Sequence, residues 1–193
     1  MIRYNRKTAL THLVCMQVIM ALILALVLPC YPARAETEGL PDKLSLVCSS
    51  GAGAWDIGVT LNMKGKFKGS YHDSDMGDGG AGYDATVHYS RFSGSFKIKK
   101  KDGFRYTVKV TDVSLKQKPG KEKIKQGALY KSEDVKLEKG KYTLYCPGLP
   151  MDQLPEEARE WLTFACFIGK TDSLLDGYVL YKKGDDPYYG ERP

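Results

Sequence analysis

Apolar and polar residues alternate through most of the chain, and this alternation predicts β-strands. A period of two puts every second side chain on the buried face of a sheet. The clearest run covers residues 55–63, and Lys64-Gly65 after it is typical of a turn. Its apolar positions are Trp55, Ile57, Val59, Leu61 and Met63. Because the alternation resumes from Phe67 to Tyr71, the two runs predict a β-hairpin.

The same period predicts four more strands. Residues 84–100 form the longest run, and Ser93-Gly94 within it predicts a kink that shifts the register of the strand. Further runs cover residues 104–115, 142–146 and 178–182. The stretches between them, residues 73–82 and 116–126, are rich in glycine or charge and predict loops.

One helix is predicted between Asp152 and Ala165. Asp152 can cap it, Pro155 fits its first turn, and Glu156 and Glu157 suit the positive end of the helix dipole. Helical spacing puts several apolar residues on one face, so Trp161 is expected to be a core residue. The apolar face consists of Leu154, Ala158, Trp161, Leu162 and Ala165.

Antiparallel strands joined by short turns predict a mainly β protein with a meander topology. Closing six to eight strands into a barrel removes the exposed sheet edges. We therefore expect a small lipocalin-like barrel with the C-terminal-half helix plugging one end. An open β-sandwich is the alternative. The single β-rich domain is expected to cover residues 44–185, after a linker at 36–43 and before a flexible tail at 186–193.

Residues 1–35 have the pattern of a cleavable secretory signal. Basic residues come first, an apolar run follows from Leu13 to Leu28, and Ala33 and Ala35 provide small residues for cleavage. At 1.5 Å per residue the apolar run spans roughly 24 Å, which is short for a membrane-spanning helix. Lipid attachment at Cys30 is disfavoured by Leu28 and Pro29. We expect a secreted protein associated with the cell envelope, without stable membrane insertion after cleavage.

Removing this segment changes the charge of the protein. The whole chain has 29 basic and 23 acidic residues, a net charge of +6. Four of the basic residues and none of the acidic ones lie in residues 1–35, so the remainder has 25 basic residues and a net charge of +2. A charge this small argues against a dedicated nucleic-acid-binding protein.

Three cysteines remain after residue 35, namely Cys48, Cys146 and Cys166. Export permits a disulfide bond. Pairing Cys146 with Cys166 would join the end of a strand to the helix, and the alternative is three buried free thiols. A metal site is disfavoured because no two cysteines have C-x-x-C spacing.

Four segments resemble a family of exported proteins and lipoproteins from Gram-positive gut bacteria. They are SSGAGAW (49–55), FKGSYHDSDMGD (67–78), FSGSF (92–96) and LPEEAREW (154–161). The resemblance extends from Leu44 to Trp161 and implies a β-rich exported domain. It implies no activity and no functional residues.

The loop after Tyr71 is the best candidate for a metal site. Asp73, Asp75 and Asp78 lie among glycines, and Asp84 adds a further carboxylate. Oxygen ligands at alternate positions suit Ca²⁺. The spacing departs from an EF-hand loop, because Gly77 and Asp78 stand in exchanged order. The alternatives are a solvated turn and a loop that contacts a ligand at the barrel mouth.

Catalytic motifs do not appear in the sequence, so we expect a protein that is not an enzyme. The first hypothesis is a binding module that holds a small apolar or envelope-derived ligand near Trp55, Tyr71, His72 and Tyr89. The second is a pocketless surface-interaction protein that uses the Asp/Gly loop or the lysine-rich segment 97–125. There, Lys97, Lys99 and Lys101 would share one strand face and could touch anionic wall polymers or lipid headgroups. A solvated face that protects an edge strand is the alternative. The sequence does not indicate an oligomeric state.

Overall fold

The structure is a computed structural model that describes residues 39–165 and 173–191. The chain divides between Arg34 and Ala35 into two units, and every described residue belongs to the second, Ala35–Pro193. The predicted signal segment therefore lies outside the described residues. Nothing within the two described ranges forms a helix long and apolar enough to cross a membrane.

Ten strands and one α-helix make up the described structure. The first five strands are β1 (Lys43–Ser49), β2 (Trp55–Asn62), β3 (Lys66–Asp75), β4 (Ala85–Lys100) and β5 (Arg105–Leu115). The others are β6 (Glu122–Lys125), β7 (Ala128–Ser132), β8 (Gly140–Tyr145), β9 (Tyr178–Tyr181) and β10 (Tyr188–Gly190). A 3-10 turn, Met151–Gln153, precedes the helix α1, Glu156–Ala165.

Eight of the strands close into an antiparallel barrel. Their order is β3-β2-β1-β10-β9-β8-β5-β4, and β4 pairs back with β3. Each barrel strand lies beside its predecessor in chain order, and β10 closes the barrel by pairing with β1. The predicted meander and small barrel are therefore confirmed. The last two strands, β6 and β7, form a hairpin outside the barrel, where β7 pairs in parallel with β4.

Two glycines make room for aromatic rings inside the barrel. Phe67 pairs across strands β3 and β4 with Gly94, and Phe92 pairs with Gly69. A Cβ at either glycine would overlap the ring of its partner. The two rings meet edge to face with centroids 6.5 Å apart, an arrangement that stabilises aromatic pairs. The same Phe-x-Gly spacing on both strands thus fixes the register of this hairpin.

Large side chains fill the barrel interior. Val108, Leu144 and Leu180 from three different strands are fully buried there together with Phe92. Residues 133–139 close the end at which β8 and β10 begin, because Val135 and Leu137 pack into the interior. Two hydrogen bonds hold this closing segment. Tyr142 donates to the carbonyl of Glu138 at 3.0 Å, and Tyr188 donates to the carbonyl of Lys136 at 3.5 Å.

The helix α1 lies on the outer face of the barrel rather than plugging its end. Ala158 and Leu162 of α1 pack with Val179 and Tyr181 in a second apolar cluster. Alternation on β9 explains this position, since its other two residues, Tyr178 and Leu180, face the interior. The predicted apolar helix face is confirmed, and Trp161 at its edge is partly buried against the interior cluster.

Residues at both predicted domain boundaries belong to the barrel. Lys43, at the end of the expected linker, begins β1, in which Leu44, Leu46 and Cys48 alternate with exposed residues. The expected flexible tail contains Tyr188–Gly190, which form β10 between β9 and β1. A short strand becomes stable here because it pairs on both sides.

Candidate functional site

The four residues predicted to bind a ligand lie on two faces of the barrel wall. Trp55 and Tyr71 lie on its inner side, where Trp55 packs against the interior cluster. His72 and Tyr89 are cross-strand partners on its outer side. Adjacent strand residues such as Tyr71 and His72 point to opposite faces, so two of the four residues face the interior and two face away from it.

Tyr71 instead belongs to a polar group beneath the closing segment. Its hydroxyl donates to Oδ2 of Asp73 at 3.0 Å, and Nζ of Lys136 lies 4.6 Å from the centre of its ring. Nearby, Nδ1 of His88 is 2.7 Å from Oε1 of Glu133. Burial raises the pKa of Tyr71 to about 12, and the hydrogen bond to Asp73 adds to the shift. These contacts join residues 133–139 to the barrel wall and occupy the mouth.

The four carboxylates predicted to bind Ca²⁺ do not converge. Asp73 accepts the Tyr71 hydrogen bond, and Oδ1 of Asp75 accepts one from the backbone N–H of Gly77 at 2.9 Å. Asp78 contributes its backbone carbonyl, which accepts from the hydroxyl of Thr86 at 3.0 Å. The backbone N–H of Asp84 donates to the carbonyl of Gly127 at 2.8 Å. In the described ranges, no three His, Cys, Asp or Glu side chains are grouped to hold a metal ion. Each of these four residues has its own, separate hydrogen-bond partner.

The described cysteines lie in the protein interior. Cys146 is a buried free thiol, and burial raises its pKa to about 11. Cys48 is buried in the interior cluster. Cys166, the predicted disulfide partner of Cys146, lies outside the described residues. The structure therefore describes no disulfide bond for Cys146.

Lysines on three neighbouring strands form a row on the outer surface. Lys97 on β4 pairs with Lys109 on β5, and Lys109 pairs with Lys141 on β8. All three are exposed, and none forms an ion pair with an acidic side chain in the described part of the chain. We call these three residues the lysine row. Like charges directly opposite each other destabilise a sheet, so the row costs the fold stability.

Two members of this row, Lys97 and Lys109, lie in the lysine-rich segment 97–125, but the sequence predicts a shared face only for Lys97, Lys99 and Lys101. Lys141 lies outside that segment. The missing information was the strand register, because it depends on the bulge between Ser95 and Phe96. The Ser93-Gly94 pair signalled an irregularity close to this bulge, which is a partial confirmation of the predicted kink.

Two shallow grooves lie on the outer surface beside the row. One, of about 490 Å³, includes Lys141, Tyr181 and the start of α1. The other, of about 640 Å³, crosses β2, β3, β4 and β5 and has Lys43 of β1 at its margin. Together with the lysine row, they define a barrel that has a filled interior and a basic, grooved exterior.

Comparison with known proteins identified no similar protein. The chain matches no protein-family model, no curated protein and no solved structure. The class that the fold and the surface define is therefore a closed eight-stranded up-and-down β-barrel with a basic outer face.

Proposed function

We propose that this protein is an exported, non-catalytic binding module that holds an anionic polymer on the outer surface of its barrel. The observation that carries the proposal is the lysine row, in which Lys97, Lys109 and Lys141 stand side by side without acidic partners in the described structure. An anionic partner would remove the repulsion among them. The filled interior supports this surface function over a ligand held inside the barrel.

The proposal of export rests on the amino-terminal sequence. The basic start, apolar run and Ala33/Ala35 pair support cleavage after Ala35. The test is the mass of the protein recovered outside the cell. The expected N-terminus is Glu36, and a mass that corresponds to an N-terminus at Met1 would contradict cleavage.

Binding is tested with linear polyphosphate as a plain anionic chain, by calorimetric titration over a range of salt concentrations. We expect binding that weakens as salt rises, since exposed charges are screened. The variant Lys109→Glu should weaken it by roughly thirtyfold, because it removes a lysine worth about 1 kcal/mol and adds a repulsive charge of similar size. Lys123→Glu on β6 is the matched control, because Lys123 pairs with Tyr130 outside the row. Binding that is insensitive to salt and to Lys109→Glu would refute the proposal.

A further inference from the structure

The larger outer groove has a composition that differs from the lysine row. Its lining combines Lys43, Lys66 and Lys68 with hydroxyl and amide side chains, among them Thr60, Asn62 and Ser114. Its lining residues on β4 and β5 have short side chains, whereas β3 contributes Lys66 and Lys68. We call it the lysine groove.

Strand register arranges the lining in lines across the sheet. Thr60 pairs with Lys68, Lys68 pairs with Ser93, and Ser93 pairs with Ser114. Neighbouring strands are about 4.8 Å apart, so this line across four strands extends for about 15 Å. A second line runs beside it through Asn62, Lys66, Ser95 and Asp112. A chain lying across the strands would meet one polar side chain from each strand in turn.

The charge of the lysine groove is positive. Its single acidic side chain, Asp112, lies 3.9 Å from Nζ of Lys139. Within the described residues, Lys43 and Lys68 form no ion pair, and Nζ of Lys66 donates to Oγ of Ser95 at 3.0 Å. Lys97 lies two residues beyond Ser95 on the same strand, so the lysine groove is continuous with the lysine row.

We propose that the lysine groove binds an extended polysaccharide whose sugars carry carboxylates. This inference rests on the proposed function and names the class of polymer. Hydroxyl and amide groups both donate and accept hydrogen bonds, as the hydroxyls of a sugar require, while the lysines pair with the carboxylates. A polyphosphate chain has acceptors only, so the hydroxyl and amide oxygens of the groove, which accept hydrogen bonds, would find no donor on it.

The composition of the site disfavours a membrane as the partner. Of the large apolar side chains that are exposed in the described structure, none lines the groove, so it offers nothing to insert into lipid. An extended single chain can contact both the hydroxyl groups and the lysines of the groove.

The test compares three soluble polymers of equal length by calorimetric titration. They are a linear polymer of alternating glucuronate and N-acetylglucosamine, an uncharged dextran and linear polyphosphate. We expect the glucuronate polymer to bind and dextran to fail. The double variant Thr60→Val/Ser114→Ala keeps every charge, and each lost hydrogen bond should weaken glucuronate binding about fivefold. Polyphosphate binding should fall less, because it depends mainly on the lysines and can use the two hydroxyls only as donors. Thr107→Val, on β5 outside the groove, is the matched control.

The outcomes separate this inference from the proposed function. If the glucuronate polymer and polyphosphate bind equally and the double variant changes neither, the groove has no sugar site, although binding to the outer surface stands. If neither polymer binds, both proposals fail. Binding to vesicles of anionic phospholipid without binding to the glucuronate polymer would also overturn the assignment. Thermal unfolding of each variant shows whether a loss of binding comes from a loss of fold.

Discussion

The ring of Phe92 occupies the space that a side chain would need at Gly69, its partner across β3 and β4. The Gly69→Ala variant should therefore be destabilised by about 1–3 kcal/mol, the usual cost of overpacking a core. Urea unfolding followed by circular dichroism measures the change. Gly58→Ala is the matched control, because the nearest side-chain atom to its new Cβ is Oγ of Ser70 at 3.6 Å. A Gly69→Ala protein as stable as Gly58→Ala would contradict the packing.

Leu137 in the closing segment is 2 % exposed although it belongs to no strand. Its replacement by alanine should cost about 2–5 kcal/mol, as for other buried leucines. The cavity it leaves should also increase the binding of an apolar fluorescent dye to the folded protein. Lys139→Ala is the control, since the Lys139 side chain is 62 % exposed in the same segment. Equal effects of the two variants would mean that residues 133–139 do not close the barrel.

Tyr71 should make stability depend on alkaline pH. Its pKa is raised to about 12 by burial and by Asp73, whereas an unfolded tyrosine loses its proton near pH 10. The unfolded state therefore loses the proton first, so this contribution to stability is complete below about pH 10 and is lost as the pH rises towards 12. Tyr71→Phe should flatten part of the decline in the urea midpoint over this range. An equal decline in both proteins would contradict the assignment.

The thiol of Cys146 should be unreactive in the folded protein. Burial, with a smaller effect from Asp102, raises its pKa to about 11, so little thiolate is present at about pH 8. Alkylation with iodoacetamide, mapped by mass spectrometry, should be slow at this residue and become fast in urea. Rapid alkylation of Cys146 before unfolding would show that the site is open to solvent.

Lys109 should lower the stability of the fold while it contributes to the binding of an anionic polymer. Lys109→Thr removes the central charge of the lysine row, and relief of cross-strand repulsion should raise the free energy of unfolding by about 0.2–1 kcal/mol. The gain should shrink at high salt, because salt screens the repulsion that the variant removes. The same variant should bind polyphosphate more weakly. Lys123→Thr on β6 serves as the control, and a stability gain of equal size there would rule out a special role for the row.

The sequence predicted those parts of the fold that depend on local pattern. Alternation located β2 to β5, and helical spacing identified the buried face of α1. Short or laterally supported strands were missed: β10 has three residues and is stabilised by pairing with β1 and β9. β1 was overlooked although Leu44, Leu46 and Cys48 alternate correctly.

The candidate site was harder to predict, because it depends on contacts distant in sequence. Tyr71 and His72 are neighbours in the chain but lie on opposite faces of the wall. Lys97, Lys109 and Lys141 are far apart in the chain but adjacent in the sheet. Only the strand register, including the bulge at Ser95/Phe96, brings the row together. Two Phe-x-Gly segments, 67–69 and 92–94, did carry a register signal for β3 and β4.

The seam between β1 and β10 has a consequence for the way the chain folds. Every other pair of neighbouring barrel strands follows one another in chain order. This seam instead joins the first barrel strand to the last, with Val47 paired to Tyr189. During synthesis the sheet can therefore grow strand by strand while it stays open, and it cannot shut until residues 188–190 have emerged. A chain truncated before Tyr188 would retain most of its pairing and expose two bare strand edges, which are prone to aggregate. Removal of these few residues should convert a closed barrel into a self-associating sheet.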